Sequence, residues 1–407
     1  MGALRNYLNK IKPSFEEGGK LHAFRSVFEG METFMFVPNT TSRCGASIHD
    51  AIDSKRIMSF VVIALIPALL FGMYNVGYQH FTALEEVSNG AEQMPSFWNV
   101  FLYGFLAVLP KIIVSYVVGL GIEFTVAQWK HEEIQEGFLV TGILIPMIVP
   151  VTCPLWIIAI ATAFSVIFVK EVFGGTGYNV FNVALVTRAF LFFAYPAAMS
   201  GDQVFVRTAD TFGMGAGQVV DGFSGATPLG QVAIAGKEMI GSFQAVDVLG
   251  QPISTWDMFL GLIPGSIGET SVLAILIGAV ILLYTGIASW KTMVSVFVGG
   301  AFMAAIFNMI GTTVAMCVSP LDHLFLGGFA FGAVFMATDP VTSARTETGK
   351  YIYGFLVGAM AIIIRALNPG YPEGMMLAIL LMNVFAPLID YYVVEANISR
   401  RLKRVIK

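Results

Sequence analysis

Between Ile57 and Gly77 the chain carries no Asp, Glu, Lys or Arg, and comparable apolar runs recur almost to its end. About 20 predominantly apolar residues are enough for a helix to cross roughly 30 Å of hydrocarbon. In that medium the backbone must satisfy its own hydrogen bonds, which makes the α-helix the expected form. Composition points the same way, with 56% hydrophobic and 12% charged residues and a mean hydropathy of +0.75, more apolar surface than a water-soluble domain can cover. The first run is too long and too far from Met1 for a cleavable signal peptide, and no small-residue cleavage site follows a basic segment, so it is expected to remain as a span.

Ten spans are expected, at 57–77, 112–129, 137–154, 155–172, 181–196, 272–286, 293–314, 324–336, 351–366 and 374–394. The third, fifth and eighth are short or interrupted by Gly and Pro. Lys and Arg are held on the cytoplasmic side and so set orientation. The segment before the first span is basic, as is the tail with Arg400, Arg401, Lys403, Arg404 and Lys407, so both termini are expected in the cytoplasm. The interval 199–271 then falls outside, with Arg207 and Lys237 as its only basic residues. Lys111 and Arg365 fit this scheme poorly. The net charge of −4 has no basic block suited to nucleic acid. Cys44, Cys153 and Cys317 are dispersed, which excludes a disulfide framework and gives no spacing for an iron–sulfur or zinc site.

The two halves repeat. Gly137 to Gly142 and Pro150-Val151-Thr152 align without gaps on Gly327 to Gly332 and Pro340-Val341-Thr342, while Gly177-Tyr178 matches Gly370-Tyr371 farther on. Five spans per half is an odd number, so the second half starts on the opposite face, the inverted repeat of transporters. The expected fold is an all-α polytopic membrane protein of two inverted five-helix repeats with broken helices. Its parts are a cytoplasmic arm 1–56, a first repeat 57–198, an extracytoplasmic loop 199–271, a second repeat 272–394 and a basic tail 395–407.

A charge at the bilayer centre costs about 2.5–3.5 kcal/mol even on the lenient insertion scale, so ionisable residues in the spans should be few and purposeful. They are Glu123, Arg188, Asp339 and Asp390. Arg188 and Asp390 are read equally well as residues that pair or snorkel. Glu123 and Asp339 stand beside small or helix-breaking residues and offer hard oxygen ligands for a desolvated Na⁺ or a proton relay. In the outer loop, Asp221-Gly222-Phe223-Ser224-Gly225-Ala226-Thr227 exposes a Thr hydroxyl on a small-residue turn, which is what a bulky phosphate ester requires.

That heptapeptide, in the loop after the fifth expected span, resembles the flavinylation signature of the NqrB subunit of the Na⁺-translocating NADH:quinone oxidoreductase and of the related RnfD subunit of the Rnf complex. The resemblance extends over nearly the whole chain, through Phe173 to Gly177, Arg188 to Pro196, Ile263 to Glu269, Met336 to Val341 and Tyr371 to Ala378. It implies an NADH:ubiquinone reductase subunit of a bacterial inner membrane that exports Na⁺, with covalent FMN esterified to Thr227 by a separate flavin transferase. Asp221, Ser224, Gly225 and Ala226 would surround the ester. It also implies a noncovalent riboflavin, for which Asn179 and Asn182 are candidates, since amides pair with a flavin edge as readily as they cap a helix. Val183 stands where the family usually has Pro. Ubiquinone is expected near Gly119, Gly121 and the N-terminal segment, although small residues there equally suit close helix packing. Glu123, Asp339 and Asp390 match the positions associated with Na⁺ uptake. The other five subunits and membrane lipid are the implied partners, and neither a catalytic side chain nor a metal ligand is assigned. The RnfD subunit, and a non-redox inverted-repeat transporter, are the alternatives.

Overall fold

The computed structural model describes residues 2–15, 19, 21, 25–36, 44–46, 54–84, 90, 93–130, 137–220 and 223–405. Among them every regular element is helical, and only isolated bridges occur in place of strands. Two short N-terminal helices, α1 (Gly2–Ile11) and α2 (Arg25–Met35), precede the first long one. Five helices are long and apolar enough to cross a membrane: α3 (Ser54–Thr82), α4 (Phe97–Lys130), α11 (Trp290–Ile310), α14 (Glu347–Leu367) and α15 (Met375–Val405). Large apolar side chains such as Ile63, Leu70, Val117, Phe302 and Leu388 project outward from them. Such an exterior is stable against hydrocarbon and not against water.

The remaining apolar segments are shorter. They are α5 (Phe138–Met147), α6 (Leu155–Ser165, running on as a π-helical turn Val166–Glu171), α7 (Val183–Ala194) and α10 (Val272–Tyr284). In the outer interval lie α8 (Pro228–Ile234) and α9 (Thr255–Leu260), and in the second half α12 (Pro320–Phe325) and α13 (Phe329–Phe331, continuing as a π turn Gly332–Met336). The expected breaks at 137–154, 181–196 and 324–336 therefore coincide with short helices. Beyond α5 the unwound backbone is enclosed by protein, with Val149, Val151 and Cys153 buried. The Met147 carbonyl accepts from Gly268 N–H at 2.7 Å, and Thr152 Oγ1 donates to the Val204 carbonyl at 2.8 Å. Irregular backbone is tolerated in a membrane protein only under such cover.

Two boundaries differ from expectation. Helix α4 begins at Phe97, not near 112, because Pro110 lies inside it. A helix interior accommodates Pro when neighbours or a local bend re-satisfy the freed carbonyl, so this Pro was no boundary. Helix α15 continues past 394 to Val405, with Lys403 and Arg404 in its last turn, where the helix dipole favours cations.

Close approach depends on small residues. Gly299 of α11 faces the Phe355 backbone and Gly358 of α14 faces that of Val296, and a Cβ at either would strike it. The two helices therefore pack along a glycine seam. Across the two halves, α3 packs on α10 and α7 on α15. At the N-terminal side α2 lies against α4, and Phe15 stacks on Phe28 at 4.7 Å.

Candidate functional site

Residues 223–227 run without regular structure into α8, held by Gly225 N–H donating to the Asp202 carbonyl at 2.6 Å. Thr227 is the cap of α8: its Oγ1 accepts from Gly230 N–H at 3.0 Å, and Pro228 follows in the first turn, where a missing N–H costs nothing. Gln231 fixes the loop around it, donating to the carbonyls of Ala226 and Val246 and accepting from Val246 N–H at 2.9 Å. Gly225 and Ala226 are buried, while Ser224 and Thr227 are half-buried. Asp221 lies outside the described residues.

Thr227 borders a cleft of about 330 Å³, partly open to solvent. Ile263, Pro264, Phe325 and Leu326 supply apolar walls, and Glu269 and Glu373 supply carboxylates. Both acids are held by one cation. Arg188 of α7, buried, donates from Nη1 to Glu269 Oε1 at 2.5 Å and from Nη2 to the Glu373 carboxylate. Arg365 of α14, which the charge rule left unplaced, binds the turn behind: it donates to the carbonyls of His323 at 2.6 Å, Leu326 at 3.2 Å and Glu373 at 2.9 Å. Its charge is thus met by aligned carbonyl dipoles and not by solvent.

The other candidates are distributed. Asn182 caps α7, its Oδ1 accepting from Ala184 and Leu185 N–H, and its Nδ2 donates to Asp339 Oδ2 at 3.1 Å. Asp339 also accepts from Val341 N–H and Thr342 Oγ1, both at 3.0 Å. The structure thus brings Asn182 and Asp339 together. Asn179 turns its Nδ2 to the nearby Phe181 carbonyl, 2.8 Å away.

Glu123 is buried in an ion pair with Lys170, which lies on the π turn after α6. Asp390 accepts from the backbone N–H groups of Arg345 and Thr346 and from Thr346 Oγ1, bracing the start of α14. Each of these three acids has its own set of partners. Gly119 and Gly121 lie on different faces of α4: Gly119 is buried against the Phe138 ring, whereas Gly121 is exposed with open space around it.

A family model described as the NQR2, RnfD, RnfE family matches residues 41–399. The chain belongs to this family. It is 45% identical to the Na⁺-translocating NADH-quinone reductase subunit of the NqrB type from Chromohalobacter salexigens, covering 98% of this chain and 96% of that protein. It is also 45% identical to the same subunit of Klebsiella pneumoniae (98% and 99% covered) and 43% identical to that of Pseudoalteromonas atlantica (99% of each).

Within this member of the NQR2, RnfD, RnfE family, sequence reasoning passed over four partners that the fold supplies. Glu269 and Glu373 were visible only as parts of family-like motifs, and Arg365 and Lys170 only as witnesses to topology. What could have marked them is the demand for a counter-charge: buried Arg188 and Glu123 each require one.

Proposed function

We propose that this chain is the electron-carrying, quinone-reducing NqrB subunit of a Na⁺-translocating NADH:ubiquinone reductase in a bacterial inner membrane. The observation that carries the reading is the placement of the Thr227 hydroxyl, on a signature-like turn, at the edge of a cleft. The family and the names of the relatives support it.

The residues fit an FMN ester. Thr227 Oγ1 meets Gly230 N–H as an acceptor, a role that an esterified oxygen retains. Ser224, Gly225 and Ala226 leave the turn slender, and the loop is braced independently by Gln231. A bound flavin supplies one- and two-electron redox chemistry. In this reading electrons pass from FMN on Thr227 to a riboflavin near Asn179 and Asn182 and on to ubiquinone near the exposed Gly121, coupled to Na⁺ export through Glu123, Asp339 and Asp390.

The five long helices and the shorter apolar ones are read as ten spans in two inverted repeats. The packing of α3 on α10 and of α7 on α15, each a pair of corresponding elements, supports this. Both termini are then cytoplasmic and Thr227 lies outside. The partners are the other five subunits, a flavin transferase and membrane lipid.

Intact-mass analysis of the chain produced with a flavin transferase tests the reading. A single FMN phosphoester, lost in Thr227→Ala, is expected. An unmodified chain would refute it.

A further inference from the structure

Taking Thr227 as the flavin-bearing residue, we propose that Arg188 is a positioning residue for the flavin, acting through Glu269 and Glu373. The two carboxylates accept hydrogen bonds from the hydroxyl and ring N–H donors of the ligand whose phosphate is held at Thr227.

Four observations carry this. Glu269 and Glu373 line the same cleft as Thr227, although they arrive from separate segments of the chain. Burying two acids on one guanidinium has a desolvation cost that apolar residues of similar size avoid, so stability alone is a weak reason for the arrangement. The chemistry is also directional: carboxylates repel a phosphate but accept from hydroxyl and N–H groups, and the phosphate end is already placed at the Thr227 side. Finally, Arg188 engages only one oxygen of each acid, and a carboxylate has about four acceptor positions. Gly328 keeps room beside Glu269, since a Cβ there would come within 2.7 Å of Glu269 Oε2, and its φ of +65° also favours glycine.

The test uses the whole complex, co-produced with a flavin transferase, carrying Arg188→Gln, Arg188→Lys or Glu373→Gln. The readouts are in-gel flavin fluorescence of this polypeptide, the visible circular dichroism of the covalent flavin and its midpoint potential. Fluorescence is expected to persist. Arg188→Gln and Glu373→Gln are expected to change the balance between oxidised and reduced flavin at least tenfold, about 30 mV for a two-electron couple, and to alter the dichroism. Arg188→Lys should retain part of the wild-type signature. Should Arg188→Gln not assemble, Glu373→Gln at the more accessible corner carries the same test. Wild-type potential and dichroism in flavinylated variants would overturn the proposal. A wild-type polypeptide without covalent fluorescence would instead overturn the flavin reading, and this inference with it.

Discussion

Asn182 donates its amide to Asp339 at 3.1 Å across 157 positions of sequence. One residue opens α7 in the first half, and the other sits in the turn after the π segment of the second. Two side chains that sequence alone assigned to different ligands therefore share a hydrogen bond. Anything that rearranges the turn at Asp339 acts directly on the cap of α7.

Removing Asn182 should be felt at both ends. Asn182→Ala deletes the acceptor of two N–H groups and one of the donors to Asp339, a loss of about 1–3 kcal/mol. Thermal unfolding of the purified complex should show it. Asp339→Asn should leave the fold assembled and raise the Na⁺ concentration for half-maximal turnover. An unaltered Na⁺ dependence would place the ion elsewhere.

The two glycines of α4 should separate packing from quinone access. Gly119→Ala drives a methyl group into the Phe138 ring, and overpacking of this kind costs about 1–3 kcal/mol. It should lower the yield of assembled protein, and Phe138→Leu should rescue it. Gly121→Ala meets open space, so assembly should be normal. If quinone binds on that face, its KM should rise with no change in thermal stability, and an unchanged KM removes Gly121 from the quinone site.

The Glu123–Lys170 pair gives a third prediction. Both side chains are only 5% exposed, so Lys170→Met takes this counter-charge from a buried carboxylate and should cost about 3–5 kcal/mol. The double variant Glu123→Gln/Lys170→Met should be milder than Lys170→Met alone. A double-mutant cycle in detergent measures this, and strict additivity would mean that the pair is not energetically coupled.

Much of the fold was legible because hydrocarbon imposes simple rules. Apolar runs and basic flanks mark helices, and the Gly- and Pro-rich interruptions fall where α5, α7 and α13 are short. Pro110 misled because the sequence does not show whether neighbours re-satisfy a freed carbonyl. The site was less legible. Thr227 announced itself through local turn chemistry, but the Arg188 clamp joins residues 81 and 185 positions apart. Such pairings are set by tertiary packing and leave no local pattern. The placement of Gly119 shows the same limit: small residues in a span mark a close approach without saying whether a side chain or a ligand makes it.

His323 provides a pH test of the turn behind the cleft. Its side chain is buried, with Nε2 3.1 Å from the Ala315 carbonyl oxygen, and its own carbonyl accepts from Arg365 at 2.6 Å. Burial first, and then the neighbouring Arg365 charge, push its pKa down from 6.5 to about 3. Between those values the unfolded chain binds a proton that the folded protein refuses. Stability is therefore intact above pH 6.5 and declines as pH falls through this window, with a limiting slope of about 1.4 kcal/mol per pH unit. His323→Gln retains an N–H donor for Ala315 and has nothing to titrate. Comparing thermal midpoints from pH 7.5 to 5.0, the wild type should lose more than the variant, and equal losses would show that His323 does not carry the acid sensitivity.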